Sequence, residues 1–569
     1  MQHMIGRPGA RPADADASAG SHQANPYREG LAPCAANHVA LSPLSFLRKA
    51  AEVHPGRTAI IHGDISRTWR ETYERCVRFA SALRVLGIGL GDTVAIMAPN
   101  IPAMVEAHFG VPMSGAVVNT LNTRLDADAV AFQLEHGGAK LLLVDREYSA
   151  LIARALAKLT HPPIVVDIED SLYNGAGEPL GLLSYEALLD SGQPDAAWDL
   201  PDNEWQAIAL GYTSGTTGDP KGVVTSHRGA YLNTLGQIVT WSMPLRPVYL
   251  WTLPMFHCNG WCFPWAVAMQ GGVNICLRRV DAPLILDLID RHGVTHMCGA
   301  PIVYSMLVDE ALRQDRQLSR PVSGFVAGAA PSSTLIEGAE SIGFDITHVY
   351  GLTEVYGPAA VCVKQPEWAE LPLGTRARLN ARQGFAFPVQ EAMRVLDPVT
   401  MRPVPPDGET VGEIMFRGNI MMSGYLKNPA ATNAAFAGGW FHTGDLAVME
   451  PDGYVRITDR LKDVIITGGE NVSSLEVEDV LHLHPAVSLA AVVAKADPRW
   501  GEVPCAFIEL RDGIGVEAEE LRLFCRQHLA GYKTPKLFHF GTIARTSTGK
   551  IQKFALRQVA AELPLPSST

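Results

Sequence analysis

Short apolar runs alternate with longer amphipathic stretches along most of this chain. Thr58-Ala59-Ile60-Ile61, Val94-Ala95-Ile96-Met97, Ala116-Val117-Val118 and Lys140-Leu141-Leu142-Leu143-Val144 have the length and residue types of buried strands. Helical patterns lie between them: from Pro43 to Ala51, from Trp69 to Leu86 with Gly87 as its stop, near Pro102–Val111, and near Ala127–Glu135. Ile164-Val165-Val166 and Ile275-Cys276-Leu277 add further strands. Strands alternating with helices predict an α/β architecture with parallel sheets. The chain carries no short internal repeat.

The pattern changes near Asp459-Arg460-Leu461-Lys462-Asp463. Gly438-Gly439 and Pro451-Asp452-Gly453 mark turns before it; Val464-Ile465-Ile466 reads as a strand closed by Gly468-Gly469. Ser474–His482 then reads as a helix whose acidic residues come early, where the helix dipole favours them. A chain of 569 residues is too long for one compact core, and residues 461–569 are enough for a small α+β domain. We therefore expect a large domain over 36–460 and a small one over 461–569. Residues 1–35, rich in Pro, Ala, Gly, Asp and Ser with no continuous apolar core, read as a disordered leader rather than a signal peptide.

Composition narrows the function classes. At 47% apolar and 19% charged, the chain is ordinary for a globular protein. A net charge of −12 argues against a general nucleic-acid surface but says nothing against a small anionic ligand. Nine scattered cysteines without repeated spacing suggest reduced thiols and a cytosolic setting. His257-Cys258 and Cys262 lack a second Cys/His pair and sit among Trp261, Phe263 and Trp265, so apolar pocket walls are expected there rather than zinc. No run of eighteen apolar residues suggests a membrane span, and Ser567-Ser568-Thr569 is not a peroxisomal address. Oligomeric state is open, with a homodimer as the working expectation.

The chemistry concentrates in Tyr212-Thr213-Ser214-Gly215-Thr216-Thr217-Gly218-Asp219-Pro220-Lys221-Gly222, which follows the apolar run Ala207-Ile208-Ala209-Leu210. Hydroxyls, flexible glycines and one cation in a loop leaving a strand suit an anion, through backbone N–H groups, O–H groups and the ammonium of Lys221. A Walker loop is excluded: counting from Gly215, Pro220 stands where the second Gly belongs, and Gly222 follows Lys221 where Ser or Thr should hold Mg²⁺. A plain solvated turn would not need so biased a composition.

This loop resembles the ATP-phosphate signature of the adenylate-forming enzymes, which include acyl-CoA synthetases, luciferases and stand-alone adenylation domains. Further motifs follow in that family's order, over roughly residues 40–560. The resemblance implies a large N-terminal domain of several subdomains, with parallel-rich sheets flanked by helices, and a small mobile α+β domain hinged at Lys462. Gly328-Ala329-Ala330-Pro331 is similar to the adenine loop. In His348-Val349-Tyr350-Gly351-Leu352-Thr353-Glu354, an aromatic beside a glycine can lie along a base, and Glu354 offers a hard oxygen to Mg²⁺. By resemblance Tyr350 contacts adenine, Thr353 the α-phosphate, and Glu354, with Thr213, the metal; His348, Gly351 and Leu352 complete that wall. Asp445, in Thr443-Gly444-Asp445, matches the acid that accepts both ribose hydroxyls, and Ile457 and Arg460 complete the sugar and phosphate side. Lys550, in Thr546-Ser547-Thr548-Gly549-Lys550, matches the catalytic lysine that stabilises charge building on the α-phosphate. Ala544 departs from the proline frequent in that motif.

Leu253–Trp261 resembles the segment lining the acyl site, with His257 at the gating position; Trp261, Gly299-Ala300-Pro301 and Val355 are the expected walls. Bulky rings predict a short pocket. Gly468-Gly469, Trp500, Lys533 and Lys536 are candidates for admitting and gripping CoA. Phe256–Trp265, Ala381-Arg382-Gln383-Gly384 and Ser473–Glu478 are similar to the subgroup of 3-methylmercaptopropionyl-CoA ligases and plant-type short-chain acyl-activating enzymes. The implied activity joins a carboxylic acid to CoA with ATP and Mg²⁺ through an acyl-adenylate. An aromatic acid as substrate, or a carrier protein as acceptor, stays open.

Overall fold

The computed structural model describes residues 27, 29–213, 220–328, 331–511, 513–545 and 551–564. Two compact units result, Met1–Ala40 and Leu41–Thr569. In the first, the described residues hold a turn in which the Asn37 and His38 amides donate to Cys34 O. Most of the expected leader, residues 1–26 and 28, lies outside the described residues.

In the second unit the alternation of the sequence becomes two large sheets. One has eight strands, ordered Gly424–Tyr425, Lys221–Ser226, Ala207–Thr213, Val117–Thr120, Thr93–Met97, Ala139–Asp145, Ile164–Ile168 and Leu183–Ser184. From Ala207–Thr213 onward all neighbours pair parallel. The other has nine strands, with Phe344–Leu352, Val322–Val326, His296–Gly299, Val248–Leu250, Val273–Ile275 and Thr58–His62 forming a parallel centre. The central strands are buried and apolar, as expected for parallel sheets covered by helices on both faces. The helix expected over Trp69–Leu86 spans Trp69–Val85, opened by a capping box in which Thr68 and Glu71 satisfy each other's backbone N–H groups.

A four-stranded antiparallel sheet, from Gln390–Leu396 through Gly412–Gly418 and Phe441–Met449 to Val455–Arg460, precedes the change of pattern at residue 460. Beyond it, Ile465–Thr467, Glu470–Val472, Val487–Asp497, Gly501–Leu510 and Leu537–Phe540 make a separate five-stranded sheet. Its two faces pack apolar clusters drawn only from residues 465–563, against the helices Ser474–His482, Ala518–His528 and Lys553–Glu562.

Candidate active site

The nucleotide side is built at the ends of parallel strands. Val326 and His348 pair across Val322–Val326 and Phe344–Leu352, and both chains then run on toward the site residues. Gly328 has φ +91° with open space where a Cβ would stand, which leaves its backbone accessible to a flat ligand. Residues 329 and 330, the rest of the expected adenine loop, lie outside the described residues. Gly351 is required by crowding: a Cβ there would lie 1.8 Å from Gly357 O. The neighbouring Tyr350 ring lies nearly parallel to Phe416, with centroids 6.0 Å apart, and its hydroxyl donates to Asp445 Oδ2 at 2.5 Å. Arg460 Nε reaches Asp445 Oδ1 at 3.1 Å, because Asp445 and Arg460 are directly opposed in an antiparallel ladder. Asp445 is only 3% exposed. Each carboxylate oxygen still has a second lone pair, so a ribose could share it. Glu413 fixes the approach to this acid by accepting from Gly444 N and pairing with His442. Ile457 packs in the same apolar cluster as Tyr350 and Leu352. His348 is buried, its Nδ1 2.9 Å from Arg382 O, and burial pushes its pKa down to about 4; it is a neutral strut behind the wall.

The strands that flank the expected phosphate loop lie side by side. Ala207–Thr213 and Lys221–Ser226 pair antiparallel, with Thr213 opposite Lys221. The sequence suggested a loop leaving a strand; the structure adds that Lys221–Ser226 returns beside that strand. Ser214, Gly215, Thr216, Thr217 and Gly218 lie outside the described residues. A Cβ on Gly211 would sit 3.2 Å from Thr353 Cγ2, so this strand pair and the Thr353-Glu354 turn are in contact. Lys221 Nζ lies 4.8 Å from the Tyr425 ring centre, and Tyr425 donates to Glu354 Oε1 at 2.9 Å. Burial raises the Glu354 carboxyl above its ordinary range, with the Tyr425 hydroxyl and Lys221 opposing it. Among the described residues no cluster of three or more His, Cys, Asp or Glu could hold a metal. One buried carboxylate within reach of the charge on Lys221 fits Mg²⁺, which takes most of its ligands from phosphate and water.

The segment expected to line the acyl site contains an unusual backbone. Cys258, Asn259, Gly260, Trp261 and Cys262 all have positive φ, between 39° and 66°. Consecutive left-handed residues cost roughly 1–2 kcal/mol each for non-glycine types, so the surroundings must hold them. Asn259 Nδ2 donates to Thr120 Oγ1 at 3.2 Å, Asn100 accepts from Met255 N at 2.7 Å, and Cys258 Sγ lies 3.6 Å from Thr353 Oγ1. Trp261 is 4% exposed and passes so close to Gly357 that a Cβ there would be 3.2 Å from Trp261 Cα. His257 is half-buried, its Nε2 3.9 Å from Cys258 Sγ. Phe263 and Trp265, expected to crowd the pocket, are fully buried core residues, stacked on Tyr249 and Tyr356 respectively. Val355 is likewise fully buried. Gly299 is buried, and Ala300 and Pro301 are half-buried at the start of the helix Pro301–Arg313.

In the small sheet, Gly468 and Gly469 form the turn between Ile465–Thr467 and Glu470–Val472, with φ +60° and +90°. Gly469 has open space around it; Gly468 lies beneath Trp500, which is 45% exposed. Lys533 is ion-paired to Glu476 at 2.7 Å, so it would have to leave that carboxylate to meet CoA. Lys536 is half-buried. Lys462 has its ammonium pKa lowered by burial and by nearby Arg460. Lys550 lies outside the described residues.

The AMP-binding enzyme family matches residues 47–426, and the C-terminal domain of AMP-binding enzymes matches residues 476–550. The chain belongs to the AMP-binding enzyme family. Within it, the chain is 50% identical to the acetate–CoA ligase CCL3 of Humulus lupulus, over 93% of this chain and 96% of that protein. It is also 50% identical to the peroxisomal acetate/butyrate–CoA ligase AAE7 of Arabidopsis thaliana, over 94% and 97%. The o-succinylbenzoate CoA synthetase of Bacillus subtilis, solved with its acyl-adenylate, superposes with a TM-score of 0.77 at 26% identity, covering 92% of this chain and 99% of that one.

Several residues of this AMP-binding enzyme's site escape a reading of the sequence. Tyr425 and Glu413 act through side-chain contacts across 71 and 31 positions, which no local motif encodes. Asn233 and Gln237, from the helix His227–Thr240, donate to the carbonyls of Tyr356 and Pro358 and so fix the turn that carries Glu354. The signal that could have found them is their polarity at buried positions of a helix.

Proposed function

We propose that this protein is an ATP-dependent acyl-CoA ligase for short aliphatic acids, acting in two steps. A carboxylate attacks the α-phosphate of ATP, giving acyl-adenylate and pyrophosphate. The CoA thiolate then attacks the acyl carbon, giving the thioester and AMP. The observation that carries this reading is the convergence of Tyr350–Asp445–Arg460, suited to a nucleoside, with Lys221–Tyr425–Glu354, suited to a polyphosphate.

Each group has one task. Asp445 orients the ribose and Arg460 holds Asp445. Tyr350 and the open backbone of Gly328 bracket the base. Thr213 and Thr353 hydrogen-bond the phosphates, and Glu354 holds Mg²⁺, which neutralises charge on the leaving pyrophosphate. Lys550 stabilises the charge that develops on the α-phosphate during the first step. Rotation of residues 461–569 about Lys462 then brings Gly469 and Trp500 to the site, where the thin pantetheine arm passes the glycine. The left-handed segment and Trp261 support a short pocket, in which butyrate and 3-methylmercaptopropionate fit better than long chains. The relatives named for acetate and butyrate support the same size class. The nine scattered cysteines without repeated spacing support a reducing compartment such as the cytosol; fractionation of native cells that found the protein in an oxidising compartment would refute this.

The test is CoA-dependent AMP formation with 3-methylmercaptopropionate, butyrate, hexanoate, octanoate, benzoate and cinnamate, in wild type and Lys550→Ala. We expect AMP from the short aliphatic acids, lost in the variant. Preference for the aromatic acids would overturn the pocket assignment. Pyrophosphate release without thioester would overturn CoA as acceptor in favour of a carrier protein.

A further inference from the structure

A buried charge cluster lies across the proposed pivot. Asp459, three residues before Lys462, is 2% exposed. It accepts from Ser474 N at 2.5 Å and from Ser474 Oγ at 3.0 Å. Beside it, Ser473 Oγ donates to Thr458 O at 2.5 Å. The start of the helix Ser474–His482 is thus docked on the strand Val455–Arg460. Ser474 Oγ also accepts from Lys553 Nζ at 2.5 Å, and Lys553 pairs with Glu478 at 2.7 Å. Glu478 is buried and accepts in addition from Val492 N. Lys553 opens the helix Lys553–Glu562, three positions after Lys550 in the sequence.

Two carboxylates therefore share one ammonium out of water. Burial raises both carboxyls, and Lys553 is the first opposing charge for each. Such a cluster is costly unless every partner stays in place. Asp459 belongs to the large-domain side of the pivot, whereas Ser474, Glu478 and Lys553 belong to the small-domain side. On a turn of the backbone at Lys462, Asp459 would part from Ser474 and be rehydrated, while Glu478 and Lys553 would remain together as a neutral pair. The arrangement is self-consistent in both states, but only one has the bonds to Asp459.

We propose that Asp459 and Lys553 are positioning residues, and that the chain Asp459–Ser474–Lys553–Glu478 is a latch that holds the small domain in one of its two working orientations. Lys553 also ties the helix that follows the Lys550 segment to this latch, so the orientation of the domain and the placement of that helix are set together. The inference rests on the two-step reading above.

The test combines geometry with the two half-reactions. Spin labels are placed at Val399→Cys and Leu523→Cys, both exposed positions, one on each side of the pivot, in a Cys34→Ser background that removes the exposed cysteine. Label-to-label distances are compared among the otherwise wild-type protein, Asp459→Asn, Lys553→Met and Lys553→Arg. Pyrophosphate release with butyrate, and CoA-driven discharge of supplied butyryl-adenylate, are measured separately on unlabelled protein. We expect Asp459→Asn and Lys553→Met to shift the distance populations in the same sense and to change the ratio of the two rates by about tenfold or more, the scale of a lost charged hydrogen bond. Lys553→Arg should keep both. Unchanged distances with both rates lowered by a common factor would make the cluster merely structural and overturn the latch. Shifted distances in a protein that performs neither half-reaction with butyrate would support the latch while removing the reading of the reaction.

Discussion

Replacing Asp445 with Asn tests the nucleoside site with little change of shape. Asp445 is 3% exposed and held by the Tyr350 hydroxyl at 2.5 Å and Arg460 at 3.1 Å, so the side chain at this position keeps its orientation. Two ribose hydroxyls donating to a carboxylate make two charge-assisted bonds, each worth roughly 1.5–3 kcal/mol against about 1 kcal/mol for neutral ones. Loss of the charge then removes about 1 kcal/mol per bond, or about 2 kcal/mol in all, which is about 30-fold in affinity. The expected result is a KM for ATP raised about 30-fold in pyrophosphate release, with kcat little changed because the bonds are made equally in ground and transition states. The 2′-deoxy analogue of ATP isolates one of the two bonds. Wild type should discriminate against it by about tenfold or more, and Asp445→Asn by only a few-fold. A variant that keeps the full wild-type discrimination would refute the assignment of Asp445 to the ribose.

Glu354→Gln should abolish Mg²⁺-dependent pyrophosphate release yet raise stability near pH 7. Burial holds this carboxyl above its ordinary range, so its ionisation costs folding free energy at pH values above the unfolded-state pKa of about 4.3. The gain, read by thermal unfolding, should vanish below that pH, where the carboxyl is protonated in both states. The same direction predicts that wild-type activity falls, as pH is lowered, above the usual carboxylate range, and a profile flat down to pH 4 would contradict it. Trp261→Ala should cost about 3–5 kcal/mol as a core truncation and shift acid preference toward longer chains, read as relative kcat/KM for hexanoate over butyrate. Gly351→Ala should cost about 3 kcal/mol or more in thermal unfolding, since its Cβ would collide with Gly357 O.

Much of this architecture was legible because period and length agree locally. The helix Ser474–His482 has the bounds its pattern predicts, and the apolar runs at Thr58, Val94 and Lys140 became strands with no end moved by more than one residue. What the pattern could not carry was pairing. Lys221–Ser226 is short and follows a turn-rich loop, so only its ladder with Ala207–Thr213 identifies the strand. The structure brings the motif residues Tyr350, Asp445 and Arg460 together, and the contact of Asp445 with Arg460 depends on the opposition of two strands, which no motif encodes. Burial of Phe263 and Trp265 was not legible either: aromatic residues near an acyl motif look the same whether they line a cavity or fill the core. The left-handed run was invisible, because Cys258, Trp261 and Cys262 have no preference for that backbone.

That run has a consequence for inheritance. Its five residues turn against the hand preferred by the chain, and neighbours several strands away keep them there: Thr120, Thr353 and Gly357. A change in one member leaves the others enforcing a shape that no longer fits. Descendants of this sequence should therefore alter these positions as a set, with residue 357 staying glycine throughout, since its φ is +106° and a Cβ there would lie 3.2 Å from the residue 261 backbone. The shape of this segment is then a trait that moves in jumps rather than drifting one substitution at a time.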